Sequence, residues 1–142
     1  MTRQFRLPSL TFAAFIASLA LALVGGLTSC ASGPPKLPES LSPSELIQRA
    51  QEASDKGDYP SAIHIYKTAE ERFGSDALVL ATSEYEIAFM LYKQGKYAES
   101  QALFEKLLAL YASPGAEALP PRFKILAEKI LLKVKEAQNI KP

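Results

Sequence analysis

The chain has 142 residues, with 16 Lys and Arg against 15 Asp and Glu, one cysteine and one histidine. A net charge of +1 supplies no general attraction to nucleic acid, and a lone cysteine excludes a disulfide within the chain. One His and one Cys also fall short of the three or four ligands that a zinc site needs.

The first ten residues, MTRQFRLPSL, carry Arg3 and Arg6 and no acid. An uncharged run follows from Leu7 to Pro35, with the apolar centre TFAAFIASLALALVGGL. Positive, then apolar, then small is the order of a secretory signal; an uncleaved membrane helix is the alternative, since about 20 apolar residues span a bilayer. Leu27-Thr28-Ser29-Cys30 resembles the lipobox of bacterial lipoproteins. That resemblance implies lipid transfer to the Cys30 sulfur, cleavage before Cys30 and acylation of the new terminus. Thiolate nucleophilicity suits a cysteine to the transfer, and several acyl chains hold a domain on a membrane where one holds it marginally. Ala31, in place of an aspartate, implies by the same resemblance the outer membrane of the cell envelope, with the domain facing the periplasm.

Beyond residue 29 the chain carries 14 Lys and Arg and 15 Asp and Glu, a net −1. The segment 31–41, ASGPPKLPESL, has the prolines of a semi-rigid extended tether. Ser42-Pro43-Ser44-Glu45 then opens a helix, with Ser42 as N-cap, Pro43 at the first helical position and Glu45 closing a capping box. Leu46, Ile47, Ala50 and Ala53 follow at helical spacing. Lys56-Gly57-Asp58 breaks this helix, and a second is predicted over 60–73 with Ala62, Tyr66, Ala69 and Phe73 on one face. A third is predicted over 76–93 and a fourth over 98–111, separated by Gln94-Gly95-Lys96. After Ala112-Ser113-Pro114-Gly115, a fifth begins near Pro120-Pro121 and carries Phe123, Leu126, Ala127, Ile130 and Val134. No useful run alternates as a strand would, so the predicted fold is all-α.

The segments KGDYPSAIHIYKTAEERFG and QGKYAESQALFEKLLALYA, starting at Lys56 and Gln94, share a register. Gly57 pairs with Gly95, Tyr59 with Tyr97, Tyr66 with Phe104, Phe73 with Tyr111, Ala50 with Ala88 and Ala53 with Leu91, each 38 residues apart. A constant offset marks an internal repeat. The pattern resembles the tetratricopeptide repeat, whose usual period is about 34 residues, and Ser100 stands where the second repeat would carry the alanine that Ala62 supplies in the first. The resemblance implies a short solenoid over residues 42–138: hairpins at 43–76 and 77–114, capped by a helix at 120–138. A lipid anchor joined to lengthened repeats also resembles the outer-membrane assembly lipoproteins (BamD/YfiO-like), which carry about twice as many repeats.

No catalytic constellation emerges. His64 reads as a solvated surface histidine, and Glu70, Glu71, Glu84, Glu86 and Glu99 read as outward, solvated charges on amphipathic helices. No phosphate-binding loop, cofactor site or small-molecule substrate site is read, and the chain is expected not to be an enzyme. In tetratricopeptide arrays the first helix of each pair lines a groove for a protein or peptide. Carried over, this places Ile47, Gln51 and Ser54 there from the first pair, and Tyr85, Phe89 and Tyr92 from the second. Those three rings either anchor a partner or are buried as core by the fifth helix folding back. Residues 122–142 carry a net +4, read as a solvated face with helix-dipole benefit or as a contact for an acidic partner or anionic lipid.

Overall fold

The Ser42 capping box forms as read from the sequence: the Ser42 backbone N–H donates to Glu45 Oε2 at 2.8 Å, and the Glu45 N–H donates to Ser42 Oγ at 3.3 Å. It starts the first of five α-helices in a computed structural model that describes residues 36–139. In chain order these are α1 (Pro43–Asp55), α2 (Tyr59–Phe73), α3 (Ala77–Lys93), α4 (Tyr97–Leu110) and α5 (Pro121–Asn139), with a 3₁₀ turn at Ala116–Ala118 before α5. Among the described residues there is no strand, and no helix is long and apolar enough to cross a membrane. The fold is all-α: α1 packs on α2 and α3 on α4 as two hairpins, α2 packs on α3 to stack them, and α5 closes the array against α4 and α3.

The 38-residue repeat is physical as well as textual. Gly57 and Gly95 adopt φ of +76° and +73°, a left-handed conformation that costs other residues about 1–2 kcal/mol. The same hydrogen bonds then recur. Gly57 N–H donates to the Ser54 carbonyl and Gly95 N–H to that of Tyr92, both at 2.9 Å; Asp58 N–H donates to the Ala53 carbonyl and Lys96 N–H to that of Leu91, both at 2.9 Å. Ala50 and Ala88, and Ala62 and Ser100, are wholly buried where the helices of each hairpin meet. Ser100 keeps the close packing of an alanine by donating its hydroxyl to the Ala88 carbonyl at 2.8 Å, so its polar atom is satisfied.

Asp58 caps α2 by accepting from the Ser61 N–H at 3.2 Å, and the Ser61 side chain first, then that N–H, holds its carboxyl below the usual range. The equivalent residue of the second hairpin is Lys96, and α4 has no side-chain cap. Lys96→Asp is therefore expected to stabilise the chain by about 1 kcal/mol, read as a rise in melting temperature; no rise would mean that the α4 terminus is already satisfied by solvent.

Two apolar clusters form the core. One joins Leu46, Ala50, Ala62, Ile65, Tyr66 and Ala69 of the first hairpin to Val79, Ile87, Met90 and Leu91 of α3. The other joins Ala81, Tyr85 and Ala88 of α3 to Phe104 and Leu107 of α4 and to Phe123, Ala127, Leu131 and Val134 of α5. Each large side chain buried there contributes about 1.5–3 kcal/mol. Leu37 and Leu41, from the end of the proline-rich segment, pack on the first cluster. Arg72 holds that segment by donating to the Pro38 carbonyl at 2.8 Å and the Leu37 carbonyl at 3.3 Å.

Candidate partner-binding groove

Helix α3 is covered by α2, α4, α1 and α5, and its burial follows from that. From Val79 to Leu91 only Leu80, Glu86 and Phe89 escape full burial. The strip left open toward the C-terminal half carries Glu86, Phe89 and Tyr92, spaced so that they share one side of the helix. Gln51 is exposed and Ser54 half-buried on α1, and both line a cleft with Asp55, Tyr66 and Glu86.

The three predicted aromatic anchors separate. Tyr85 is only 8% exposed and belongs to the core: its ring centroid lies 5.5 Å from Phe123 of α5 and 5.8 Å from Phe104 of α4. It is not a groove residue, because α5 folds over it. Phe89 and Tyr92 stay half-buried. Phe89 stacks on Tyr85 at 6.1 Å with an interplanar angle of 8°, Tyr92 follows at 6.2 Å, and Tyr97 of α4 extends the row at 5.9 Å. Of the two open rings, Phe89 rests on a buried ring, whereas Tyr92 rests on two half-buried ones. Ile47 is half-buried and packs against the first core cluster. Cys30 lies outside the described residues.

The acids required correction. Glu71 and Glu99 are exposed as read, but Glu84 is 2% exposed, and Glu70 and Glu86 are half-buried. Glu84 occupies the place of Leu46 in the first hairpin, 38 residues earlier, on the side of α3 that meets both α2 and α4. It is paired with Lys106 of α4, whose Nζ also lies 4.0 Å from Glu70 Oε1 on α2. Burial first, then the Glu84 charge and a hydrogen bond to Glu84, push the Glu70 carboxyl up. The hydrogen bond to Glu84 is the main cause that raises the Lys106 ammonium. Burial is also the larger cause that raises Glu86, with the charge of Asp55 second. The missed signal was the repeat register: it aligns Glu84 with a wholly buried leucine. His64 is half-buried, its carbonyl accepting from Thr68 Oγ1 at 3.0 Å.

A larger cleft, about 490 Å³, lies between α2 and α4 above Ile87 and Leu91, rimmed by Lys67, Lys96 and Glu99. Among the described residues no group of three His, Cys, Asp or Glu side chains could hold a metal ion.

The chain is 32% identical over 116 residues to an uncharacterized protein of Treponema pallidum (strain Nichols). The match takes in 80% of the chain but 46% of that relative, so the chain spans about half the length of the curated relative it matches. No protein-family model matches the chain, and no solved structure matches it.

Proposed function

We propose that this protein is a lipid-anchored protein-interaction module of the bacterial envelope, tethered through Cys30 to the outer membrane on its periplasmic side and holding a protein or peptide in the groove of its tetratricopeptide-like hairpins. The observation that carries the reading is the pair Phe89 and Tyr92, half-open aromatic rings in one row, Phe89 stacked on the buried Tyr85 and Tyr92 packed between Phe89 and Tyr97. Rigid aromatic side chains lose little conformational freedom on binding and are favoured as anchors. Kinship with the outer-membrane assembly lipoproteins belongs to the same proposal, resting on the lipobox and the repeat style.

Crosslinking in cells, with membrane fractionation, tests both parts. The wild-type chain is expected in the membrane fraction with a discrete protein adduct, and Cys30→Ala is expected to leave that fraction. Phe89→Ala with Tyr92→Ala is expected to abolish the adduct while the far-ultraviolet helical signal is unchanged. A Cys30→Ala form that stays with the membrane refutes the lipid anchor, and an adduct insensitive to the ring substitutions refutes the groove. An adduct with a β-barrel assembly factor would narrow the role to outer-membrane protein assembly.

A further inference from the structure

We infer that the cleft between α1 and α3 is a pocket for a cationic side chain, lysine or arginine, presented by the segment that the groove holds; this rests on the protein-binding reading above. The cleft has a volume of about 270 Å³ and is lined by Gln51, Ser54 and Asp55 of α1, Tyr66 of α2 and Glu86 of α3. Two carboxylates alone would be an ordinary solvated pair. The second observation is Tyr66, which is wholly buried and whose hydroxyl has no hydrogen-bond partner among the described residues.

A buried hydroxyl left unpaired is destabilising, and the repeat shows that packing does not demand it. The equivalent residue of the second hairpin is Phe104, also wholly buried, so the site between hairpin helices asks only for the ring. The Tyr66 hydroxyl is close enough to Glu86 and Asp55 that their charges, after burial itself, push its ionisation up. Among the described residues neither Asp55 nor Glu86 forms an ion pair. An ammonium or guanidinium entering here would meet two carboxylates, donate to the hydroxyl lone pairs and find amide and hydroxyl groups at the rim.

The second hairpin does not repeat this chemistry. Thirty-eight residues on from Gln51, Ser54 and Asp55 stand Phe89, Tyr92 and Lys93. The acidic notch is therefore confined to the first hairpin, beside an aromatic stretch on the second. A matching segment carries a basic residue next to an apolar one.

The test is an NMR titration of the ¹⁵N-labelled full chain in detergent micelles with N-acetyl-argininamide and its neutral isostere N-acetyl-citrullinamide. Arginine is expected to give saturable shifts at residues 51–55, 66 and 86, and citrulline to bind at least tenfold more weakly. Glu86→Gln is expected to weaken arginine binding at least threefold. Tyr66→Phe is expected to do the same with a melting temperature no lower than wild type. Should the Tyr66 variant fold poorly, Glu86→Gln decides, since Glu86 lies on the open strip of α3. Equal binding of citrulline, the same shifts from sodium chloride at matched ionic strength, or wild-type affinity in Glu86→Gln would overturn the inference. In the cellular crosslink, an adduct that survives Glu86→Gln sinks the pocket and spares the groove; absence of any wild-type adduct sinks the groove reading, while the titration still decides the pocket.

Discussion

Tyr85→Ala is expected to lower the unfolding free energy by about 3–5 kcal/mol, whereas Tyr92→Ala, two turns further along the same helix, costs about 1 kcal/mol. Tyr85 touches rings from three directions: Phe89 on its own helix, Phe104 of α4 and Phe123 of α5. Removing it opens a cavity where the second hairpin meets α5, and aromatic pairs worth about 0.5–1.5 kcal/mol each beyond their burial are lost with it. Among the described residues Tyr92 has only Phe89 and Tyr97 as ring neighbours, and it is already partly in water. Urea denaturation of the two variants measures the difference. Comparable losses would mean that Tyr92 is core too, and the groove would then have to be sought elsewhere.

The second expectation concerns Glu84. Glu84→Leu, which restores the leucine found at the same register in the first hairpin, is expected to be stabilising by about 1–2 kcal/mol. That lies at the low end for replacing a buried pair, because the Lys106 side chain is 58% exposed and solvent already screens it. Lys106→Met is expected to cost about 2–3 kcal/mol, since it leaves a carboxylate buried without its partner.

Glu70 adds a pH dependence. Its folded-state pKa is raised above the usual value of 4.5, so the folded state holds the proton more tightly than the unfolded chain does. Its contribution is fully present below about 4.5 and is lost as pH rises through the raised value. Glu70→Gln is expected to be more stable than wild type at neutral pH, with the gap closing as pH falls toward 4. A gap that is constant with pH would mean that neither burial nor the Glu84 charge raises Glu70. The cluster is an ionic joint between the stacked hairpins, placed where the first repeat uses oil.

The helices and their order were legible because local chemistry sets them. Ser42, Asp58 and Asp76 accept from the first backbone N–H groups of their helices. Gly57 and Gly95 turn the chain at positive φ, and the small residues at 50, 62, 88 and 100 let helices approach. None of these needs knowledge of a distant neighbour. The offset of 38 residues made the second hairpin readable from the first.

The faces of α3 were decided only by tertiary structure. A helical stripe predicts burial on the assumption that one side is covered, and α3 is covered by four other helices. Its pattern therefore carries little information about what is open. Glu84 went inside because Lys106 and Glu70 come from helices that meet it in space, and Tyr85 went inside because α5 returns across it. Phe89, Tyr92 and Glu86 stayed half-open for the complementary reason: the described helices cover that strip only in part. Which residues form helices is a property of neighbours in sequence; which of them are left to meet a partner is a property of where the last helix lands.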